Sequence, residues 1–369
     1  MAILSDSKAR WLANSDTLDF HLSVSGSVKE CDVVIEIYEL SGPVLCTLNE
    51  RHYVKDGVVS INDLSLLLKP YFERFADFIP DMTPGRHEIN PTLYVDFVFK
   101  VNAMTVDDYS YRFAYSDIIM PTKYVNSWEV GAVYNRFLTR SGKYDLPSSC
   151  KAAVATYSAL AIEIYVLYSA AESVERLLVK TYPASDGLDL MTIVMFDWDF
   201  IYELLQQVRP AVEYERLLGV EISISKNDLL PKADTVVYYR DTRYHYNIRS
   251  FLFEGSMGEP VILNFTGKEE MMPEMNAEFV TAGNCFVKVR DGYAKMRKSY
   301  SGPLNEATRN LVHDLANSRH VFVLENNKWE RATITDVDLH EEVPHLEPIG
   351  LMVTWRLSNN KKQRTYSYE

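Results

Sequence analysis

Cysteine is scarce: four in 369 residues, at Cys31, Cys46, Cys150 and Cys285, with no C-x-x-C pair. That excludes a disulfide-dense scaffold and the usual zinc or redox spacings, and it predicts buried free thiols. Cys31 and Cys46 could still face each other from neighbouring strands. Glycine and proline number 15 each, too few for a collagen-like or low-complexity chain. No stretch reaches the ~20 apolar residues of a membrane-spanning helix, so no membrane insertion is expected. The segment Met1–Lys8 has no basic region leading into an apolar run. Cytoplasmic synthesis without a signal peptide is therefore expected, with a virion as the later location considered.

Positive charge is also in deficit, and unevenly. The formal net charge is -13. Residues 1–122 carry ten Lys and Arg against eighteen Asp and Glu, and residues 123–275 carry fifteen against twenty-one. Residues 276–369 balance at thirteen against twelve. An acidic body lacks the basic surface that phosphate backbones require, which argues against nucleic acid as a partner. The C-terminal cluster Lys361-Lys362-Gln363-Arg364 reads as a solvated end.

What the chain has in quantity is aromatic residues, 24 Tyr among them, and hydrophobic residues at 47%, enough to build real cores. The aromatic and β-branched residues fall in short alternating runs, the period of half-buried strands. Thr17–Val24, Val33–Tyr38, Leu93–Val101 and Tyr109–Ser116 read as strands, the last two as a hairpin looped at Asn102–Asp108. Ile61, Leu64, Leu67, Leu68, Tyr71, Phe72 and Phe75 form a helical stripe suited to plugging the end of a sandwich. Further on, Leu160–Tyr168 with Val174–Tyr182, and Tyr246–Glu254 with Glu259–Phe265, read as hairpins. Met191–Phe196, Tyr214–Ile224 and Thr235–Tyr239 read as strands, and Asp199 as the cap of a short helix. A composition shift at Met272-Pro273 opens the last third. There Phe286–Val289 and Ala294–Tyr300 are expected to turn at Asp291-Gly292, and Val321–Leu324 and Trp329–Ile334 to flank Glu325-Asn326-Asn327-Lys328. Leu351–Leu357 is the final strand. The expected fold is mainly β: two β-sandwich-like domains with short plug helices over 1–122 and 123–272, then a small α+β module over 273–369.

No dinucleotide fingerprint, P-loop, H-E-x-x-H, EF-hand or G-x-S-x-G occurs, so no catalytic residue, cofactor or metal is assigned. The acidic pairs Asp107-Asp108, Asp197/Asp199, Glu269-Glu270 and Glu341-Glu342 are the material a glycosidase would need. Adjacent strand residues point to opposite faces, however, so most such pairs are expected in loops and caps. The richest local cluster is Tyr238, Tyr239, Arg240, Arg243, Tyr244 and Tyr246, a candidate surface for stacking a sugar or docking a protein. His245 within it has no Cys or second His nearby, which makes it a poor metal candidate.

Phe251–Pro260 forms an aromatic strand and a small-residue turn, followed by a strand ending in Thr266-Gly267. Arg297-Lys298-Ser299-Tyr300-Ser301-Gly302-Pro303-Leu304 leads into a helix. Leu315–Ser318, Val321–Leu324, Glu325–Trp329 and Ile334-Thr335-Asp336 follow in order. Over roughly residues 235–369 this resembles uncharacterised prophage-encoded proteins of gut bacteria, from tail or baseplate gene neighbourhoods. Gly255 departs from the pattern, which has a polar residue there. The resemblance carries no catalytic residues. It implies a non-enzymatic structural protein of a phage tail or baseplate, whose partners are other particle proteins or copies of itself. The alternatives are a carbohydrate-binding or host-attachment module that recognises a surface glycan, and an unrecognised hydrolase.

Overall fold

The computed structural model describes residues 11–13, 20–24, 28–39, 42–62, 64, 67, 83–89, 92–101, 104–114, 137–138, 142–157, 160–171, 173–184, 191–225, 234–245, 247–255, 258–282, 285–302, 304, 306–318, 320–339 and 350–358. The chain is mainly β and built from several sheets, as its alternating patterns predict.

The N-terminal part contributes β1 (Trp11–Ala13), β2 (Phe20–Ser23), β3 (Glu30–Glu39), β4 (Val44–Tyr53), β5 (Val58–Ile61), β6 (Gly85–Ile89), β7 (Thr92–Val101) and β8 (Met104–Ala114). Five of these form a sheet in the order β1-β8-β7-β3-β4, and β2 pairs with β5. Alternation decides which side is buried. Cys31, Val33, Ile35 and Ile37 of β3 and Val95, Phe97, Phe99 and Val101 of β7 point one way. Phe20 of β2 packs across onto Phe97 and Phe99, with ring centroids 5.4 and 4.7 Å apart. This core closes on itself. Cys31 faces His52 on β4 while Cys46 faces Ile37, so the two thiols lie far apart along the ladder and both are free. The β7–β8 connection is tighter than the expected Asn102–Asp108 loop. Val101 pairs with Met104, and the ladder continues through Asp107 and Asp108 with a bulge at Phe99/Lys100. Of the expected helical stripe, Ile61 is instead the buried last residue of β5, paired with Phe20 because the alternation of Val59 and Ile61 continues the strand. Leu64 is buried in this core, Leu67 packs against it, and Leu68, Tyr71, Phe72 and Phe75 lie outside the described residues.

The remainder comprises β9 (Lys143–Pro147), β10 (Ala152–Tyr157), β11 (Ile162–Ser169), β12 (Val174–Tyr182), β13 (Met191–Phe196), α1 (Trp198–Val208), β14 (Leu217–Ile224), β15 (Thr235–Asp241), β16 (Arg249–Glu254), β17 (Pro260–Phe265), β18 (Glu269–Ala282), β19 (Cys285–Tyr300), α2 (Glu306–Asn317), β20 (Val321–Glu325), β21 (Lys328–Leu339) and β22 (Leu351–Leu357). They form sheets in the orders β10-β13-β6, β12-β11-β14-β15-β9 and β17-β16-β20-β21-β22-β19-β18. β13 is buried at all six positions, the pattern of a central strand covered on both faces. One continuous core runs from Phe137 to Trp355.

Two sheets cross the boundaries expected at 122/123 and 272/273. β6 pairs with β13, and β16 and β17 share a sheet with β18–β22. Met272-Pro273 lies inside β18, where Pro273 faces Lys295 in the outermost strand, the place in a sheet where a missing N–H is tolerated. Asp291-Gly292 is not a turn. Both residues are paired mid-strand, with Ala277 and Asn276, and the ladder runs on to Ala282 facing Cys285. The long-range ladder to β18 outweighs the local turn preference of the dipeptide. Asn326 and Asn327 do turn, with φ of 49° and 62°, the two positive values a tight hairpin of this kind needs.

Candidate functional site

β15 carries the aromatic-cationic cluster and sits between β14 and the parallel strand β9. Alternation splits the cluster. Val236 and Tyr238 face the core, and Tyr239 faces outward. Tyr238 is 8% exposed, stacks on Tyr144 at 5.0 Å and meets Phe196 edge-on at 5.1 Å. Burial pushes its phenol well above the usual tyrosine range. Tyr238 is therefore a core residue, and the expected binding surface loses it.

Tyr239 is 37% exposed. Its cross-strand neighbour is Gly219, and a β-carbon there would sit 2.7 Å from the Tyr238 carbonyl and 3.4 Å from the Tyr239 ring. Glycine at 219 thus leaves space for the Tyr239 ring on the outer face, and the Lys143 ammonium lies 5.9 Å from its centroid. On the same face the Arg176 guanidinium lies 3.3 Å from the centroid of Tyr165 and donates to Glu221 at 2.7 Å, while the Tyr165 hydroxyl donates to Glu163 at 2.7 Å. Tyr165 is capped by these partners, which leaves Tyr239 the more open ring.

Arg240 turns away from solvent. It stacks on Tyr214 at 4.0 Å and donates to that residue's carbonyl at 2.9 Å. Tyr214 begins a short 3-10 turn, Tyr214–Arg216, and meets Tyr202 of α1 edge-on at 5.0 Å. Arg243 forks onto Asp241, its Nε and Nη2 each donating at 2.8 Å, and His245 Nε2 lies 2.9 Å from the same carboxylate. The Asp241 side chain is 6% exposed, and these contacts, led by Arg243, hold its carboxyl far below the ordinary carboxylate range. Asp241 is a structural anchor for the turn that presents Tyr244, which is 88% exposed. Tyr246 lies outside the described residues. Of the six expected residues, then, Tyr239 and Tyr244 are the open aromatics, Arg243 is exposed but paired, and Tyr238 and Arg240 hold the sheet together.

The carboxylate pairs take structural posts. Asp197, not Asp199, caps α1. Its backbone is extended and its Oδ1 accepts from the Phe200 N–H at 2.9 Å. Asp199 lies in the first turn, 3.5 Å from the Tyr214 hydroxyl. Trp198 between them is fully buried and donates to the Leu146 carbonyl at 3.0 Å. Glu269 and Glu270 diverge. Glu270 pairs with Lys268, and Glu269 pairs with Arg249 and Arg297. Glu325 joins those two arginines, making a four-charge cluster whose guanidiniums lie 5.5 and 5.2 Å from the Trp355 centroid. The side chains of Asp107 and Asp108, and Glu341 and Glu342 altogether, lie outside the described residues. Among the described residues no group of three or more His, Cys, Asp or Glu is arranged to hold a metal ion, and no helix is long and apolar enough to cross a membrane.

Sequence reasoning missed the longest feature. β18 and β19 pair from Glu269↔Ser299 to Ala282↔Cys285, but only Arg297–Tyr300 of β19 also pairs with β22. Beyond that base the two strands continue as a two-stranded ribbon, roughly 40 Å long at strand rise. β18 is the outermost strand of its sheet. The opposite edge is covered: β17 packs on β10, and Asn264 donates to the Lys151 carbonyl at 3.2 Å. The signal available in sequence was opposite charge on two adjacent apolar-rich runs. β18 holds Glu269, Glu270, Glu274 and Glu278, and β19 holds Lys288, Arg290, Lys295, Arg297 and Lys298 against Asp291.

No family model matches the chain, and no curated protein does. Among solved structures it is similar to a point mutant of Salmonella alpha-2-macroglobulin, at 7% identity over 91% of this chain and 24% of that one, TM-score 0.19. The Salmonella protein reacted with methylamine gives 7% identity over 93% and 24%, TM-score 0.20. Trypsin-activated alpha-2-macroglobulin from Escherichia coli gives 9% over 96% and 24%, TM-score 0.20. The chain spans about a quarter of the length of these proteins, and a likeness at this TM-score carries no argument.

Proposed function

We propose that this chain is a non-enzymatic assembly component of a particle, of the phage tail or baseplate kind its sequence resembles, and that it acts through protein–protein contacts. The β18–β19 ribbon carries this reading. A two-stranded ribbon is marginal by itself in water, and an open strand edge is a template for another chain. The reading is also supported by the posts of the described acidic pairs, which serve as caps and ion-pair partners. The test is an antiserum raised against the chain. It is expected to decorate particles released by the source strain after prophage induction. Particles that stay bare, with the chain remaining in the soluble fraction, overturn the reading.

A second reading, glycan attachment, is favoured by the open rings of Tyr239 and Tyr244. Binding on a glycan array that is lost in Tyr239→Ala or Tyr244→Ala supports it, and an array silent for the intact chain removes it.

A further inference from the structure

From the ribbon we infer that copies of this chain join head to tail, the β19 edge of one ribbon adding to the β18 edge of the next, an inference that rests on the assembly reading above. Two observations carry it. Among the described residues no further strand pairs with either outer edge of the distal ribbon, since β18 is the last strand of its sheet and the β22 ladder on β19 stops at Arg297. The two strands also bear opposite charge over that distal part, two carboxylates (Glu274, Glu278) on β18 and a net of two positive charges on β19 (Lys288, Arg290 and Lys295 against Asp291).

Edge addition places residues of the joining strands about 5 Å apart, where like charges oppose pairing and unlike charges favour it. Three pairings of two ribbons are available. β18 against β18 sets Glu beside Glu. β19 against β19 sets Lys and Arg beside Lys and Arg. Only β19 against β18 repeats the complementarity that already exists within one ribbon, where Glu278 faces Arg290 and Glu270 faces Lys298. The first two pairings are symmetric and end at a dimer. The third is heterologous, so each added copy presents a fresh edge, and the series closes as a ring or continues as a filament. Proline hinders pairing at its own place in an edge strand. Pro273 therefore confines the addition to the distal ribbon, residues 274–282 of one copy alongside residues 285–294 of the next.

Two experiments on the full chain test this. The first uses hydrogen exchange of the unmodified protein, dilute and concentrated. Head-to-tail joining protects amides in both 274–282 and 285–294 on concentration. Protection of one strand only, or of neither, overturns it. The second uses a charge-inverted ribbon, Glu274→Lys and Glu278→Lys with Lys288→Glu, Arg290→Glu and Lys295→Glu, which keeps the complementarity inside each ribbon. Mixed with the unmodified chain and read by native mass spectrometry, the two are expected to sort into separate oligomers. Mixed oligomers overturn the inference, because symmetric pairing would favour them. A chain that decorates particles but shows neither edge protection nor sorting leaves the assembly reading standing and removes the head-to-tail inference alone.

Discussion

The carboxylate of Glu259 lies against the α-carbon of Gly255, so closely that a β-carbon added at 255 would overlap it. The backbone closes the same turn, Gly255 N–H donating to the Glu259 carbonyl at 2.7 Å and Gly258 N–H to the Gly255 carbonyl at 3.0 Å. Glu259 is 3% exposed, so its carboxylate has little freedom to retreat. A side chain at 255 would have to displace that carboxylate, which is why the turn takes glycine there.

Gly255→Ala is expected to destabilise the fold by about 1–3 kcal/mol, the usual cost of overpacking. A Glu259→Ala background removes the obstacle, so the same substitution costs less there. Urea unfolding of the two single variants and the double variant measures the difference, and equal costs in both backgrounds would show that the contact is unimportant.

Tyr238 and Tyr244 are expected to separate cleanly. Tyr238→Ala opens a cavity beside Tyr144 and Phe196 and costs about 3–5 kcal/mol. Tyr244→Ala, on an exposed turn, stays within about 0.5 kcal/mol. Thermal melts of the two variants check the ranking, and a Tyr244→Ala melt as low as that of Tyr238→Ala contradicts it.

Asp241 sets a pH dependence. Its folded carboxyl titrates below its unfolded value, so its stabilising contribution is complete above the unfolded value of about 4 and is lost as pH falls through the folded one. The stability gap between the wild-type chain and Asp241→Asn should be flat from pH 6 to 8 and shrink below about pH 4. Denaturation midpoints across that range provide the measurement. A gap that widens with acid would reverse the assigned sign.

The thiols should differ in reactivity. Burial pushes the Cys150 thiol up to about 12, whereas Cys46 is partly exposed on β4. Since thiolate is the reactive form, alkylation of the native chain at pH 8 is expected to mark Cys46 and spare Cys150 until denaturant is added. Peptide mass spectrometry after a timed pulse reads this, with early modification of Cys150 as the contrary result.

Local signals were legible where the structure is local. The alternation in Val33–Tyr38 marked β3, and the Asn326-Asn327 pair marked its hairpin, because each depends on neighbours a few residues away. Alternation counted from Val236 also assigns Tyr238 inward, a reading that the density of tyrosine and arginine obscured. Distant partners were not legible. Asp291-Gly292 lies mid-strand because β18 pairs across it, and Gly85–Ile89 is an edge strand because β13 lies beside it. Of the candidate surface, Tyr239 and Tyr244 are exposed, and the longest open edge among the described residues, β18, was hidden by a local shift in composition at Met272-Pro273.

The pairing of β6 with β13 sets a timetable for synthesis. Ile89 must wait for Met191, about a hundred residues later, which at usual translation speeds is roughly 5–20 s. During that interval the waiting strand has no ladder on its β13 side. Its sequence, Gly85-Arg86-His87-Glu88-Ile89, alternates charge into an otherwise short and apolar-poor segment. Arg86 and Glu88 place charge on either side of His87, the kind of residue that discourages an edge strand from pairing with a wrong partner.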